Sequence, residues 1–152
     1  MKQSMGCRLA AAAGVAALAL TLVSTGTRGE TLVEARQRLM VAVVKATKVM
    51  REMAQGKAKL DPDLVKDSVR TVSEATAVLP NLFPEGSQAE TSAALPALWQ
   101  NKEDFDARLD EMNRSAILLV FAARQGDGAF RYAFDQYQQV CQGCHAKYRK
   151  PE

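Results

Sequence analysis

The sequence predicts an all-α protein folded as an antiparallel four-helix bundle. Its 152 residues are a suitable length for one domain. Four segments carry apolar residues at spacings of three and four, which is the periodicity of a helix with one buried face. The links between the segments are short, long and short, and no β-hairpin or β-α-β pattern competes with them. Four helices joined in this way are typical of a four-helix bundle.

The segment ahead of these helices has the layout of an export signal. Lys2 and Arg8 form a positive head, residues 9–23 are an unbroken run of Ala, Leu, Val, Gly and Thr, and mostly small, polar residues follow. The run of 15 residues is shorter than the ~20 residues that a membrane-spanning helix needs. We therefore interpret residues 1–29 as a signal peptide and residues 30–152 as the mature domain. The alternative is an uncleaved membrane anchor.

Removal of this segment changes the charge and the cysteine content of the chain. The segment holds three basic residues and no acid, so Lys plus Arg falls from 20 to 17, equal to the 17 Asp plus Glu. A near-neutral mature chain lacks the basic surface typical of nucleic-acid binding, and we expect no nucleic-acid partner. Removal also takes away Cys7 and leaves Cys141 and Cys144.

The first predicted helix covers residues 30–55, a stretch without Gly or Pro. Its buried face is predicted to contain Leu32, Arg36, Leu39, Met40, Val43, Thr47, Met50 and Met53. Gly56 ends this helix. Asp61 and Pro62 begin the second, with Asp as the N-cap and Pro at the first helical position, and the second helix extends to Pro80.

Residues 80–101 are predicted to form a long irregular crossing, because three prolines and a glycine interrupt them. A connection this long in a small domain is usually functional or a crossover. Asn101 is expected to cap the third helix, which extends to Gln125. A break at residues 126–128 separates it from the fourth helix, which continues almost to the C-terminus.

The fourth helix carries the motif Cys-x-x-Cys-His at Cys141, Cys144 and His145. At about 100° per residue, these three side chains fall within an arc of about 100°, so both thiols and the imidazole point the same way. Each thiol can add to one haem vinyl group, and the imidazole can ligate the iron. The motif therefore predicts one covalently bound haem c per chain, linked through Cys141 and Cys144.

Three other interpretations of the cysteine pair are weaker. A structural zinc site needs four ligands, whereas the mature chain offers two cysteines and one histidine. A thioredoxin-like redox pair is found at a helix N-terminus in a β-α-β unit. A disulfide between two residues of one helix would be strained and would leave His145 without a role. Because His145 is the only histidine, the sixth iron position is a methionine, another group or empty.

The sequence resembles the class II cytochromes c, the family of cytochrome c-prime and its c-556 relatives, over the whole mature chain. Residues 141–149 (CQGCHAKYR) match the C-x-x-C-H-x-x-Y-R ending of the family. Residues 36–40 (RQRLM) resemble a segment of its first helix, and residues 82–86 and 95–99 resemble its crossover landmarks. The resemblance implies an exported four-helix bundle with haem attached near the C-terminus.

The resemblance also implies roles for three further residues. Arg36 matches an arginine near the haem propionates, and a charge on an apolar face independently needs an anionic partner. Its alternative is a side chain that extends to the edge of the bundle. Arg149 matches the arginine after the motif, which shields the haem edge or His145, or merely ends the helix. Met40 matches the distal residue, a methionine that completes six-coordinate iron in some members and stays unbonded in others.

Two functions follow from this choice at Met40. The first is a periplasmic electron carrier that has His145 and Met40 as axial ligands and exchanges electrons with redox partner proteins. The second is a five-coordinate, high-spin haem protein that binds small gases, NO or CO, at an open distal site. That site would be lined by Met40, Leu39 and Val43. No acid–base pair, nucleophile triad or phosphate-binding loop predicts an enzyme.

A homodimer is a further expectation. Family members often dimerise through their first two helices. Val41, Val44 and Val49 lie off the main buried face of the first helix and could form a second apolar face. Ordinary exposed valines are the alternative.

Overall fold

Four long helices and one short helix account for most of the chain. The computed structural model describes residues 30–151, so the predicted signal peptide lies outside the described residues. In chain order the helices are α1 (Leu32–Ala54), α2 (Pro62–Val78), α3 (Ala97–Gln100), α4 (Lys102–Gln125) and α5 (Asp127–Tyr148). The predicted four-helix bundle is confirmed, with α3 as an addition inside the crossing. Within residues 30–151, no helix is long and apolar enough to span a membrane.

The bundle is built from antiparallel neighbours. Helix α1 packs along α2, α2 along α4, and α4 along α5, whereas α1 meets α5 over a much shorter stretch. Their buried faces meet in one core, whose largest fully buried side chains are Tyr137, Phe130, Phe134, Met50, Leu79, Leu98, Leu109 and Leu119. Most of the predicted face of α1 is buried, but Leu32 is exposed because it lies in the first turn, beyond the packed part of the bundle.

The helix starts follow from local chemistry. Thr31 and Glu34 form a capping box on α1, in which each side chain bonds the backbone N–H of the other residue. The predicted cap at Asp61 is confirmed, since its carboxylate accepts from the N–H groups of Asp63 and Leu64. These bonds satisfy N–H groups that have no partner within the helix.

Two predicted boundaries were wrong, and Asn101 lies at the predicted boundary without the predicted cap bond. Pro80 does not end helical structure, because a proline is compatible with the first positions of a helical turn, and a 3-10 helix continues through Leu79–Leu82. Asn101 does not cap α4 with its side chain; its amide donates to the carbonyl of Ala97 and closes α3 instead. The break before α5 is Gly126 alone, at φ 105°, and Gly128 is already helical.

Candidate haem site

One end of the bundle gathers four parts of the chain: the start of α1, the crossing, the start of α4 and the end of α5. Phe83 of the crossing contacts Phe105 of α4 at 4.9 Å between ring centroids, and Phe105 contacts Tyr148 of α5 at 5.6 Å. The backbone N–H of Leu95 donates to the carbonyl of Tyr148, and that of Lys150 donates to the carbonyl of Ala93. The C-terminal motif is therefore held beside the beginning of the first helix.

The motif lies on the last two turns of α5, as predicted. Cys141 and Cys144 are free thiols, half-buried at the edge of the core, and His145 is exposed beside them. Burial raises the pKa of both thiols, so the pair is protonated at neutral pH and is not a reactive thiolate site. The described chain forms no cluster of three or more His, Cys, Asp and Glu side chains suited to a metal ion.

The imidazole of His145 is in the state that a metal ligand requires. Although the residue as a whole is exposed, partial burial of its ring, and then the positive charge of Arg149, lower the pKa of His145 below its usual value. The ring is therefore neutral at pH 7 and has a nitrogen lone pair available. Arg149 is half-buried, and its backbone N–H donates to the carbonyl of His145 at 3.0 Å.

A buried hydrogen bond sets the register of α1 against α5. The hydroxyls of Thr47 and Tyr137 lie 3.1 Å apart. The two helices run in opposite directions, so seven residues toward the start of α1 and seven toward the end of α5 cover the same distance of about 10 Å. Seven residues also make about two turns, which returns to the same helix face. Ideal helix geometry counted from this bond therefore predicts that Met40 of α1 lies at the level of Cys144, the residue before His145.

Arg36 is buried beneath the crossing, with 5% of its surface exposed. Its Nε donates to the carbonyl of Leu82 at 2.8 Å, and Nη2 donates to the carbonyl and hydroxyl of Ser87 at 3.1 and 2.6 Å. The guanidinium carbon lies 4.3 Å from the Phe83 ring centroid and 5.5 Å from that of Trp99. The side chain therefore does not extend to the edge of the bundle.

Arg36 nevertheless lacks the anionic partner that the sequence argument required. All three of its acceptors are neutral oxygens, and Nη1 is buried with no hydrogen-bond partner. Burial lowers the pKa of Arg36, which is the sign of an uncompensated charge. An unpaired donor on a buried cation is costly, so this position suits a carboxylate supplied by a cofactor.

Comparison with known proteins identifies the family. The sequence profile of the family described as Cytochrome C' matches residues 31–149. The chain belongs to the cytochrome c′ family. It is 33% identical over 118 residues to cytochrome c-556 of Agrobacterium tumefaciens, covering 77% of this chain and 95% of that protein. It is 30% identical over 127 residues to cytochrome c-554 of Cereibacter sphaeroides, covering 81% and 96%.

A solved structure agrees with this assignment. The cytochrome c prime from Shewanella frigidimarina superposes with a TM-score of 0.70 at 27% identity, covering 79% of this chain and 94% of that one. The class II resemblance and the haem c assignment are thereby confirmed. As a cytochrome c′ family member the chain is a c-type haem protein, and Cys141 and Cys144 supply the two thioether sulfurs.

The residues present fit a haem with two carboxylates. Two protonated thiols lie at the edge of the core on α5, a neutral imidazole follows them, and the orphaned donor of Arg36 lies at the same end of the bundle.

A cluster on α4 that the sequence did not predict supports the motif. Asp104 accepts hydrogen bonds from the Tyr148 hydroxyl, from Arg108 Nε at 2.8 Å and from Lys147 Nζ at 3.0 Å. These three donors, Tyr148 first, hold the pKa of Asp104 well below its usual range. Arg108 also reaches the backbone at Gly143, where an added Cβ would contact its Nη1 at 3.6 Å. Only the spacing of four between Asp104 and Arg108 was visible in the sequence.

Proposed function

We propose that this family member is a periplasmic electron carrier whose haem iron is ligated by His145 and Met40. Haem c supplies a one-electron couple between ferric and ferrous iron, and methionine–histidine ligation raises its reduction potential. The protein contributes two fixed thioether sulfurs, a neutral imidazole on α5 and a thioether side chain on α1. Redox partner proteins would exchange electrons with it, and no side-chain catalysis is required.

The single observation that carries this proposal is the α1–α5 register. The Thr47–Tyr137 bond supports a facing position for Met40 relative to Cys144 and His145. Met40 is half-buried and packs against the edge of the core, so its side chain can face α5 without a rearrangement of the buried core. Methionine is unbranched and flexible, which helps it to reach a metal.

An optical spectrum of the oxidised protein tests the ligation. We expect low-spin iron with the far-red methionine-to-iron band, and we expect Met40→Leu to abolish this band. The matched control is Met53→Leu, the same change on α1 but about 20 Å further along the helix. High-spin bands in the unaltered protein, or an unchanged spectrum in Met40→Leu, would exclude Met40 as a ligand.

Binding of NO or CO is the second candidate. Leu39 and Val43 flank Met40 and are apolar, so the distal side would offer no hydrogen-bond donor from these neighbours. Five-coordinate iron there would bind NO or CO without displacing a side chain. Ready CO uptake by the reduced unaltered protein favours this function, whereas CO uptake only after Met40→Leu favours electron transfer.

Export and haem attachment are tested together by mass spectrometry. We propose that residues 1–29 are removed as a signal peptide and that the mature protein is periplasmic. The periplasmic fraction should contain a chain that begins near residue 30 and carries the mass of one haem. A chain that retains residues 1–29 in the membrane fraction would support the uncleaved anchor instead.

We also propose a homodimer through α1 and α2. Val41 and Val44 are 51% and 63% exposed, and Leu64 of α2 is 49% exposed. An apolar face of this kind loses contact with water on association. Val44→Lys should convert a dimer to a monomer in sedimentation equilibrium while leaving the optical spectrum unchanged. A monomeric unaltered protein at high concentration would refute the dimer.

A further inference from the structure

The crossing supplies a fixed set of acceptors to Arg36. A guanidinium has five N–H donors, one on Nε and two on each terminal nitrogen. Leu82 takes the Nε donor, and the carbonyl and hydroxyl of Ser87 take the two donors of Nη2. The two remaining donors are both on the buried, unpartnered Nη1. Ser87 therefore decides which edge of the guanidinium is left available.

The hydroxyl of Ser87 is itself held in one orientation. It donates to the carbonyl of Pro84 at 2.6 Å, which leaves its lone pairs to accept from Arg36 Nη2 and from Trp99 Nε1 at 3.3 Å. The same Pro84 carbonyl accepts from Trp99 Nε1 at 2.9 Å. With its single hydrogen committed to Pro84, the hydroxyl can act toward Arg36 only as an acceptor.

A turn places Ser87 at this point. The N–H of Ser87 donates to the carbonyl of Pro84, and Gly86, the third residue of the turn, has φ +76°. A positive φ at this position is the mark of a type II turn and favours glycine. A Cβ at Gly86 would meet no atom within 4 Å, so a substitution there acts through the backbone rather than through a clash.

We propose that Ser87 is a positioning residue for the haem carboxylate site: it occupies Nη2 so that Arg36 presents Nη1 alone to a haem carboxylate. This inference rests on the proposed role of Arg36 at the haem. An arginine often binds a carboxylate in a bidentate manner, with two parallel N–H···O hydrogen bonds from two nitrogens. Here Ser87 limits Arg36 to one terminal nitrogen and thereby fixes the side from which the carboxylate is bound.

The test is the propionate bending band in the resonance Raman spectrum of the haem-loaded protein. Arg36→Lys keeps the charge but loses the guanidinium, and it defines the band shift for complete loss of the contact. We expect Ser87→Ala to shift the band part of the way to that of Arg36→Lys, and Ser87→Thr to restore it. Gly86→Ala, which disturbs the turn, should give a shift of the same sign as Ser87→Ala.

The control is Ser92→Ala in the same crossing. Ser92 is buried, but its hydroxyl accepts from the N–H of Ala94 and makes no bond to Arg36, so this variant should keep the unaltered band. Ser87→Ala should also add nothing to the shift of Arg36→Lys when the two are combined. A normal band in Ser87→Ala, or a Ser92→Ala shift of equal size, overturns the positioning role.

The outcomes separate this inference from the proposed function. If Arg36→Lys itself leaves the band unchanged, Arg36 does not contact a haem carboxylate and the inference fails. The optical test of Met40 ligation does not depend on that result. Conversely, five-coordinate iron would remove the electron-carrier ligation but leave the Raman comparison of Ser87 intact.

Discussion

The hydrogen bond between Thr47 and Tyr137 should show strong coupling in a double-mutant cycle. Both residues are buried, with 8% and 0% of their surfaces exposed, so neither hydroxyl can turn to water when its partner is removed. Tyr137→Phe leaves the Thr47 hydroxyl unpaired and should lower the free energy of unfolding by about 1–3 kcal/mol. Thr47→Val should lower it by about 0.5–1.5 kcal/mol, because the Tyr137 hydroxyl also bonds the sulfur of Cys141.

The double variant should cost no more than Tyr137→Phe alone. It replaces both hydroxyls with apolar groups of similar shape, so the coupling energy should be about 0.5–1.5 kcal/mol, the net value of one hydrogen bond. Each kcal/mol corresponds to a shift in Tm of about 3–5 °C for a domain of this size. Guanidinium chloride unfolding of the haem-loaded proteins, followed by far-UV circular dichroism, measures both quantities.

A matched control separates this bond from a general effect of the Thr-to-Val change. Thr71 on α2 is half-exposed, and its hydroxyl makes only a long bond of 3.4 Å to the carbonyl of Asp67. Thr71→Val should therefore stay within about 0.5 kcal/mol of the unaltered protein. If the costs of Thr47→Val and Tyr137→Phe simply add in the double variant, the bond does not link α1 to α5 and the register argument for Met40 loses its support.

Three further predictions concern packing, charge and backbone. Phe105→Ala should lower the free energy of unfolding by about 3–5 kcal/mol, because the ring is buried between two aromatic neighbours. Phe121→Ala, at an exposed position, should lower it by less than about 0.5 kcal/mol in denaturant unfolding. Equal losses in the two variants would contradict the packing of Phe105. The pKa of Asp104 is lower in the folded than in the unfolded protein, so its ionised carboxylate stabilises the fold above about pH 4, and this stabilisation is lost as the pH falls toward the folded pKa. Asp104→Asn should therefore reduce the loss of stability at acid pH, measured as unfolding midpoints from pH 2 to 7. A loss of stability as steep as that of the unaltered protein would refute this role of Asp104. Gly126→Ala should lower the free energy of unfolding by about 1–3 kcal/mol in thermal unfolding, because Gly126 has a φ of +105°. Gly128→Ala, inside α5, should leave the stability unchanged or raise it. The reverse order would contradict the placement of the helix break at Gly126.

Helix positions and the haem motif were predictable because each depends on residues close together in sequence. The periodicity of three and four placed Met40 and Arg36 on the inner face of α1, and both lie there. The spacing of the two cysteines and the histidine placed them on neighbouring faces of α5. Local chemistry also explains the confirmed cap at Asp61.

The partners of these residues were not predictable, because they depend on the path of the crossing. Nothing local indicates that Ser87, about fifty residues along the chain, bonds Arg36. The link from Asp104 to Tyr148 likewise requires the packing of α4 on α5. The predicted cap bond at Asn101 is absent because two helices compete for its side chain: the amide bonds the preceding helix instead of capping the next one.

The start of α1 and the end of α5 meet at one end of the bundle, although they are far apart in the sequence. The start of α1 and the end of α5 are connected through Arg36, Phe83, Phe105 and Tyr148 in successive contact. The opposite end carries the exposed turn at residues 56–59, which makes few such contacts. A circular permutant of residues 30–151, with these two ends joined by a linker and the chain opened in that turn, should therefore keep all four long helices. Its haem motif would then lie inside the chain, a short distance ahead of α1.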